Sequence, residues 1–476
     1  MDRITANRRW PLFDTAATRR IERAAASALP PHTLMQRAGL AVARLALALA
    51  PHAKTIWIAC GPGNNGGDGL EAAMHMQRWG KAPHVSWLGD EGMVPADALA
   101  SLKRARDAGV AIASGPPPHW DLAIDALLGI GAVRPPQGTM ADWIAHMNSQ
   151  SWPILSIDLP SGLDADRGTG MAVRATVTLS LLTLKPGLFT AQGRDAAGSV
   201  WLDELGTDLE STGASAWLGV APQAVARPHA SHKGSFGDVA VIGGAPGMAG
   251  AALLAGCAAL HGGAGRVLIG LLDPGAMTVD PAQPDLMLRA WDSLDLTAMS
   301  VACGCGGGQA VRAALPKVLA TSHALVLDAD GLNAVAADSQ LQTQLRARAV
   351  RGRATVLTPH PLEAARLLNC GVAQVQADRL AAAQQLAARF DCVAVLKGSG
   401  TVTAAPGERS VVNPTGNSKL AVAGTGDVLA GMVAARLAQG MTAFDAASQA
   451  VQAHGACADH WPPGQPLTAS ALARRA

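Results

Sequence analysis

Apolar runs of strand length alternate with longer, helically spaced segments along most of this chain. Residues 15–50 are Ala-rich, with Arg and Leu recurring at helical spacing, and read as helix. Strands are expected at 55–60, 84–89, 122–128, 153–159 and 175–183, with helical segments such as 70–79 between them. Runs that are apolar throughout, without strict alternation, suit parallel strands covered on both faces. Near 205–232 the rhythm stops in a polar, turn-rich stretch followed by Pro222 and Pro228. It restarts after Gly237, with strands expected at 238–244, 266–272, 324–329, 354–358 and 392–397. The pattern predicts an α/β protein of two three-layer αβα domains, at 1–210 and 225–476. The ending, Ala471-Leu-Ala-Arg-Arg-Ala476, reads as a short surface helix or frayed tail.

Composition narrows the function classes. The chain has 476 residues, enough for two or three domains, with 49% hydrophobic and 16% charged residues. A formal net charge of +2 gives no reason to expect nucleic acid or an anionic membrane surface as partner. The run from Leu40 to Ala50 is broken by Arg44 and too short to span a bilayer. Seven cysteines, mostly in apolar runs, and 13 scattered histidines without metal-ligand spacing suggest a reduced, cytoplasmic protein. Tyrosine is absent, whereas there are 11 tryptophans.

In the first half, three loops follow apolar strands. The loop Cys60-Gly-Pro-Gly-Asn64-Asn65-Gly66-Gly67-Asp68-Gly69 lacks the glycine spacing of a dinucleotide fingerprint and carries two Asn side chains. The second is Asp125-Ala-Leu-Leu-Gly129-Ile130-Gly131-Ala132-Val133-Arg134-Pro135, and the third is Asp158-Leu-Pro-Ser161-Gly162. Strand-end groups of a parallel sheet converge on one crevice. Two carboxylates, an amide and a hydroxyl there suit a hard cation or an acid/base pair. A single Asp of this kind is most simply a turn or helix cap.

In the second half, Gly424-Thr-Gly426-Asp427 opens an apolar helix. The unpaired N–H groups and positive dipole end of such a helix attract an anion. A carboxylate beside a bound phosphate suits deprotonation of a hydroxyl that attacks phosphorus. Asp328-Ala-Asp330, Thr358-Pro-His360-Pro361-Leu-Glu363 and Lys397-Gly398-Ser399-Gly400-Thr401 end further strands. Jointly they describe a phosphoryl-transfer crevice. On physics alone this half fits a small-molecule kinase equally well, and the first half could be a binding module.

The motifs also carry a resemblance. Leu34-Met-Gln-Arg-Ala-Gly39, the Gly61 to Gly69 loop, Asp125-Ala-Leu-Leu-Gly129 and Asp158-Leu-Pro-Ser-Gly162 resemble, in order, the epimerase family acting on hydrated nicotinamide nucleotides, NAD(P)HX. That resemblance implies a Rossmann-like fold, with potassium held by Asn65, Asp125 and Ser161. It implies hydrate contacts from Asn64, Asn65, Gly66, Gly67, Asp68, Asp158 and the loop Gly129, Ile130, Gly131, Ala132, Val133, Arg134, Pro135. Asp158 is the expected acid/base group. From about His232 to Ser470 the chain resembles the ADP-dependent NAD(P)HX dehydratases, which have the ribokinase-like fold. This implies hydrate contacts from Ala251, Gly306, His360 and the catalytic Asp427. Lys397, Gly398, Ser399, Gly400, Thr401 and Gly426 would hold ADP, with Mg2+ neutralising the diphosphate. Together the resemblances imply a bifunctional, homo-oligomeric repair enzyme for NADHX and NADPHX. Departures from the family pattern are Leu362 after Pro361, the run from Lys419 to Ala423, and Cys303-Gly-Cys305-Gly306-Gly-Gly308 in place of a Gly-Pro-Gly-Leu-Gly loop.

Overall fold

The computed structural model describes residues 1–131, 134–207, 213–222, 229–273, 275 and 277–476. The chain forms two compact units, one of Met1–Thr5 and Trp10–Trp217, the other of Ala6–Arg9 and Leu218–Ala476.

Strands of the first unit are β1 (Asp2–Arg3), β2 (Trp10–Leu12), β3 (Thr55–Cys60), β4 (Ala82–Trp87), β5 (Ala111–Ala113), β6 (Leu122–Ala126), β7 (Ile154–Ile157), β8 (Val177–Leu181) and β9 (Ser199–Asp203). Its sheet runs β1-β9-β8-β7-β6-β3-β4-β5, parallel except where β1 pairs antiparallel with β9. Chain order therefore reverses between β3 and β6, which opens a crevice at their carboxyl ends. Alternation along β3 builds three layers. Ile56, Ile58 and Cys60 pack with Val42, Ala46, Leu70 and Met76 from the helices Thr33–Leu49 and Asn64–Arg78. Trp57 and Ala59 face the other way, with Trp120, Trp143, Ile144 and Met147. The Trp57 ring centroid lies 4.8 Å from Trp120 and 6.1 Å from Trp143.

The expected helix over 15–50 is two helices, Thr15–Ser27 and Thr33–Leu49, divided around Pro30 and Pro31. The edge strand β5 and the strand β9 lie outside the sequence expectation. Both are short or alternate with polar residues, and their pairing is a tertiary property.

After β10 (Ala216–Leu218), the second unit contains β11 (Asp238–Gly243), β12 (Arg266–Leu271), β13 (Met287–Leu288), β14 (Ser300–Cys303), β15 (Ala324–Leu327), β16 (Thr355–Leu357), β17 (Val393–Leu396), β18 (Val402–Ala404) and β19 (Val411–Val412). These run β13-β12-β11-β14-β15-β16-β17-β18-β19, parallel up to β17 and antiparallel beyond. The order again reverses, here between β11 and β14. Val239 and Val241 face a core shared with the helices Ala249–His261, Thr425–Ala438 and Ala443–Asp459. Ala240 and Ile242 face Val311, Leu315, Leu332 and Leu386 on the opposite side. Both units are thus αβα sandwiches. A Cβ on Gly431 would sit 2.0 Å from the Ala255 carbonyl, so this glycine sets how closely the helix of Asp427 approaches the helix Ala249–His261.

The chain's end is a correction. The helix Ala469–Ala473 is neither frayed nor superficial, since Leu472 and Ala473 are buried in the core beneath Thr425–Ala438. No helix among the described residues is long and apolar enough to cross a membrane.

Candidate active sites

The loop after β3 is shorter than its sequence suggests. Asn64 already begins the helix Asn64–Arg78, so Asn64, Asn65, Gly66 and Gly67 form its first turn and Asp68 follows directly in the helix. A Cβ on Gly66 would lie 2.0 Å from the Gly61 carbonyl, and one on Gly67 would strike Met35 and Ala98. Gly66 thus lets the helix start close onto the strand end, and Gly67 lets the helices Thr33–Leu49 and Ala96–Asp107 pack against it. Asn64, Asn65 and Asp68 line the resulting cleft of about 550 Å³, with Gly129, Ile130, Gly131 and Asp158. Arg134 and Pro135 line a second hollow, of about 820 Å³, whose rim shares Leu128 and Gly129 with the first. Ala132 and Val133 lie outside the described residues.

At the crevice floor Asp125 is fully buried. It accepts hydrogen bonds from Ser156 Oγ and Ser161 N, both at 2.8 Å, and from Ser161 Oγ at 2.5 Å. Burial raises its pKa and these donors oppose the rise. Ser161 Oγ also accepts from Leu128 N at 2.8 Å, and Asn65 Nδ2 donates to the Leu128 carbonyl at 3.0 Å. The structure thus gathers Asn65, Asp125 and Ser161 around Leu128, as a set of hard oxygen donors that suits an alkali cation.

Asp158 stands beside this set with a positive φ of 67°, a strained conformation for a non-glycine residue. Its Oδ1 pairs with the ammonium of Lys185 and accepts from Leu181 N at 3.2 Å. Lys185 is wholly buried and also donates to the Leu181 carbonyl at 2.8 Å and to Ser180 Oγ at 3.3 Å. Lys185 was not singled out from sequence. Its signal was a lysine directly after an apolar strand and before Pro186-Gly187, the setting in which Lys397 was noticed. Glu22 and Asp68 complete an acidic rim. Burial, and then the nearby Asp158 carboxylate, push both carboxyls up.

The second crevice gathers Asp328, Lys397, Gly426 and Asp427. Lys397 Nζ donates to Asp328 Oδ1 at 2.7 Å, and a Cβ on Gly426 would lie 3.2 Å from that ammonium. Asp427 sits in the first turn of Thr425–Ala438, whose N-cap Gly424 has φ of 89°. The first N–H groups of a helix have no acceptor within it. Burial first, and then Asp328, push the Asp427 carboxyl up to about 6. His454 supports the turn from behind, with Nε2 2.9 Å from the Thr425 carbonyl and its pKa depressed by burial to about 4. A neutral ring must donate that bond.

Gly306 and Ala251 are neighbours, since a Cβ on Gly306 would lie 2.9 Å from the Ala251 Cβ. The loops after β11 and β14 are laced together, Gly244 N and Ala245 N donating to the carbonyls of Cys305 and Gly306. His360 caps the helix Pro361–Leu368 through Nδ1, and its Nε2 lies 3.2 Å from Glu363 Oε1. Burial holds Glu363 at about 7. Gly398, Ser399, Gly400 and Thr401 make a closed turn, in which Thr401 Oγ1 donates to the Gly398 carbonyl at 3.0 Å. Arg379, not picked out from sequence, holds this turn by donating to the Leu396 and Lys397 carbonyls, each at 3.1 Å. Lys419 donates to the Trp461 carbonyl at 3.3 Å. Cys305 was also missed as a neighbour of Asp427. Its thiol and the carboxylates of Asp328 and Asp427 present donor atoms all within 4.8 Å of one another.

Comparison with known proteins gives both halves a counterpart. A family described as YjeF-related protein N-terminus matches residues 31–187, and one described as NAD(P)H-hydrate dehydratase matches residues 239–474. The bifunctional NAD(P)H-hydrate repair enzyme Nnr of Escherichia coli (strain K12) is 38% identical over 469 residues, covering 93% of this chain and 88% of that protein. The ADP-dependent (S)-NAD(P)H-hydrate dehydratase of Neisseria meningitidis serogroup B is 45% identical over 241 residues, covering 49% of this chain and 80% of its own. Among solved structures, the ADP/ATP-dependent NAD(P)H-hydrate dehydratase from Bacillus subtilis, co-crystallised with ATP/Mg2+, is 31% identical with a TM-score of 0.44, covering 52% of this chain and 91% of its own. With both family models matched in order and this identity across almost its whole length, the chain belongs to the family of bifunctional NAD(P)H-hydrate repair enzymes.

Proposed function

We propose that this chain repairs hydrated nicotinamide nucleotides. It epimerises (R)- and (S)-NAD(P)HX and dehydrates the (S) form to NAD(P)H at the expense of ADP, giving AMP and phosphate. Residues 1–210 form the Rossmann-like epimerase domain and 225–476 the ribokinase-like dehydratase domain. The observation that carries this reading is a furnished switch-point crevice in each unit, one with an acid/base carboxylate beside oxygen donors, the other with a carboxylate at a helix N-terminus.

In the first unit Asp158 exchanges the proton, oriented by Lys185 and by the Leu181 amide. Asn65, Asp125 and Ser161 would hold a potassium ion, which supplies fixed positive charge beside the hydrate. Asn64, Asp68 and the loop from Gly129 to Pro135 contact the substrate.

In the second unit ADP, whose diphosphate Mg2+ would neutralise, lies against Gly426, Lys397 and the turn Gly398, Ser399, Gly400, Thr401. The hydrate rests on Ala251, Gly306 and His360. Asp427 takes the proton of the ring hydroxyl, whose oxygen attacks the terminal phosphorus of ADP while the bond to AMP breaks. Amides of the Gly424 turn stabilise the charge on the transferring group. The C–O bond of the phosphate ester then breaks, phosphate leaving with the bonding pair under push from the ring nitrogen, and the adjacent ring carbon loses a proton to solvent, which restores the dihydropyridine. The same reading makes the protein cytoplasmic and homo-oligomeric.

Recovery of reduced-nicotinamide absorbance from a mixture of both NADHX epimers tests the reading. Complete recovery with ADP requires both activities, whereas recovery that stalls part-way removes the epimerase. A stable phosphorylated product, without free phosphate, would instead identify the second unit as a small-molecule kinase.

A further inference from the structure

One loop of the first unit lines two hollows. Ile130 and Gly131 border the cleft of Asp158, Arg134 and Pro135 border the hollow of about 820 Å³, and Leu128 and Gly129 line both. The two spaces differ in charge. In the cleft four carboxylates, those of Glu22, Asp68, Asp97 and Asp158, outnumber the cations Arg19 and Lys185 and the ring of His32. These three are already engaged. Lys185 pairs with Asp158, His32 Nδ1 lies 2.5 Å from Asp97 Oδ1, and Arg19 reaches the Ile130 carbonyl at 3.5 Å. A diphosphate placed there would meet like charge.

The second hollow has the opposite character. Arg134 and Arg174 line it, and both are exposed. Of its two carboxylates, Asp164 is taken up by its own turn, its Oδ1 accepting from Asp166 N at 3.0 Å and from Arg167 N at 2.8 Å. Asp195 supplies an acceptor for sugar hydroxyls. Ile144, Leu163 and Met171 add an apolar wall suited to a flat base. The wall is formed in advance. Asn148 Oδ1 accepts from Arg174 N at 2.8 Å and its Nδ2 donates to the Ala172 carbonyl at 3.0 Å. Gln192 Oε1 holds Gly170 N at 3.0 Å.

A dinucleotide is two nucleosides joined by a diphosphate, and so is itself a ligand of two compartments. We propose that the second hollow is the subsite for the adenosine diphosphate portion of the hydrate being epimerised. The reacting ring lies at Asp158, the diphosphate passes Gly129 to meet Arg134 and Arg174, and the adenosine rests on the apolar wall. The proposal rests on the first unit being the epimerase. Binding at this distance from the reacting carbon holds the ring in place without taking part in its chemistry.

The test follows interconversion of the (R) and (S) epimers by chromatography, with the full-length protein and no ADP, so that dehydration is silent. Two hydrates are compared: NADHX, and the hydrate of reduced nicotinamide riboside, which lacks the diphosphate and the adenosine. Arg174→Gln removes a charge, and Ala145→Trp fills the hollow from the exposed face of the helix Thr139–Asn148. Each should raise the KM for NADHX roughly three- to tenfold and leave kcat nearly unchanged. Neither should alter the kinetics with the riboside hydrate. An unchanged KM for NADHX in both variants, or equal impairment with the two hydrates, overturns the proposal while wild-type turnover upholds the epimerase. A wild type that interconverts neither hydrate removes the epimerase reading and the subsite with it.

Discussion

The partly buried carboxyl of Asp427 carries a cost in stability. That carboxyl, pushed up to about 6, lies above the ordinary aspartate value of 3.8. The folded state therefore holds the proton more tightly than the unfolded one. Its contribution to stability is present below pH 3.8 and lost as pH rises towards 6. Asp427→Asn should abolish dehydration and raise stability at pH 7.5 by on the order of 1–2 kcal/mol, read as a higher Tm. In the wild type, kcat/KM for dehydration should fall tenfold per pH unit below about 6, as the base becomes protonated. In the first unit, potassium should raise the Tm, and Asp125→Ala should remove that increment. Sequence exposed these residues because each follows an apolar strand or opens an apolar helix. Lys185 and His454 were not legible as site residues, because each touches a group remote in sequence, Lys185 the Asp158 carboxylate and His454 the Thr425 carbonyl.

At the scale of elements, the glycine loops proved to be of two kinds. Gly424 and Gly398 adopt positive φ, of 89° and 137°, at places where backbone faces the crevice. Gly66 and Gly431 are helical and serve close packing, with prospective Cβ atoms 2.0 Å from the Gly61 and Ala255 carbonyls. Gly66→Ala should therefore destabilise the first unit by several kcal/mol more than the helix-favouring effect of alanine, about 1 kcal/mol, restores. Chemical denaturation of the full chain checks this, and a neutral or stabilising result contradicts the packing role. Sequence cannot separate the two kinds, because both are simply Gly next to Asn or Asp. Strand positions were readable to within one or two residues wherever the run was apolar throughout, as at 55–60 and 238–243. Ser300–Cys303, only four residues long, carries too little pattern to be recognised, although it borders the reversal of strand order in the second sheet.

For the whole molecule, the alternation of strands and helices announced parallel sheets but not their order. The reversals at β3 and β6 and at β11 and β14 come from which strands pair, a property of tertiary contacts. Each unit has its own core, and each crevice lies within one unit. Inactivation should accordingly be separable. Asp158→Asn should leave dehydration of (S)-NADHX intact and stop recovery from the (R) form, whereas Asp427→Asn should leave epimerisation intact. Loss of both activities in either variant would contradict this.

The cluster of Trp57, Trp120 and Trp143 has a spectroscopic consequence. Without tyrosine, the chain's intrinsic emission arises from tryptophan. Nine of the 11 tryptophans belong to the first unit, and only Trp291 and Trp461 to the second. Near-ultraviolet fluorescence is thus a built-in reporter chiefly of the first unit. A denaturation curve followed by emission would be nearly blind to the dehydratase, whose unfolding is better followed by far-ultraviolet dichroism.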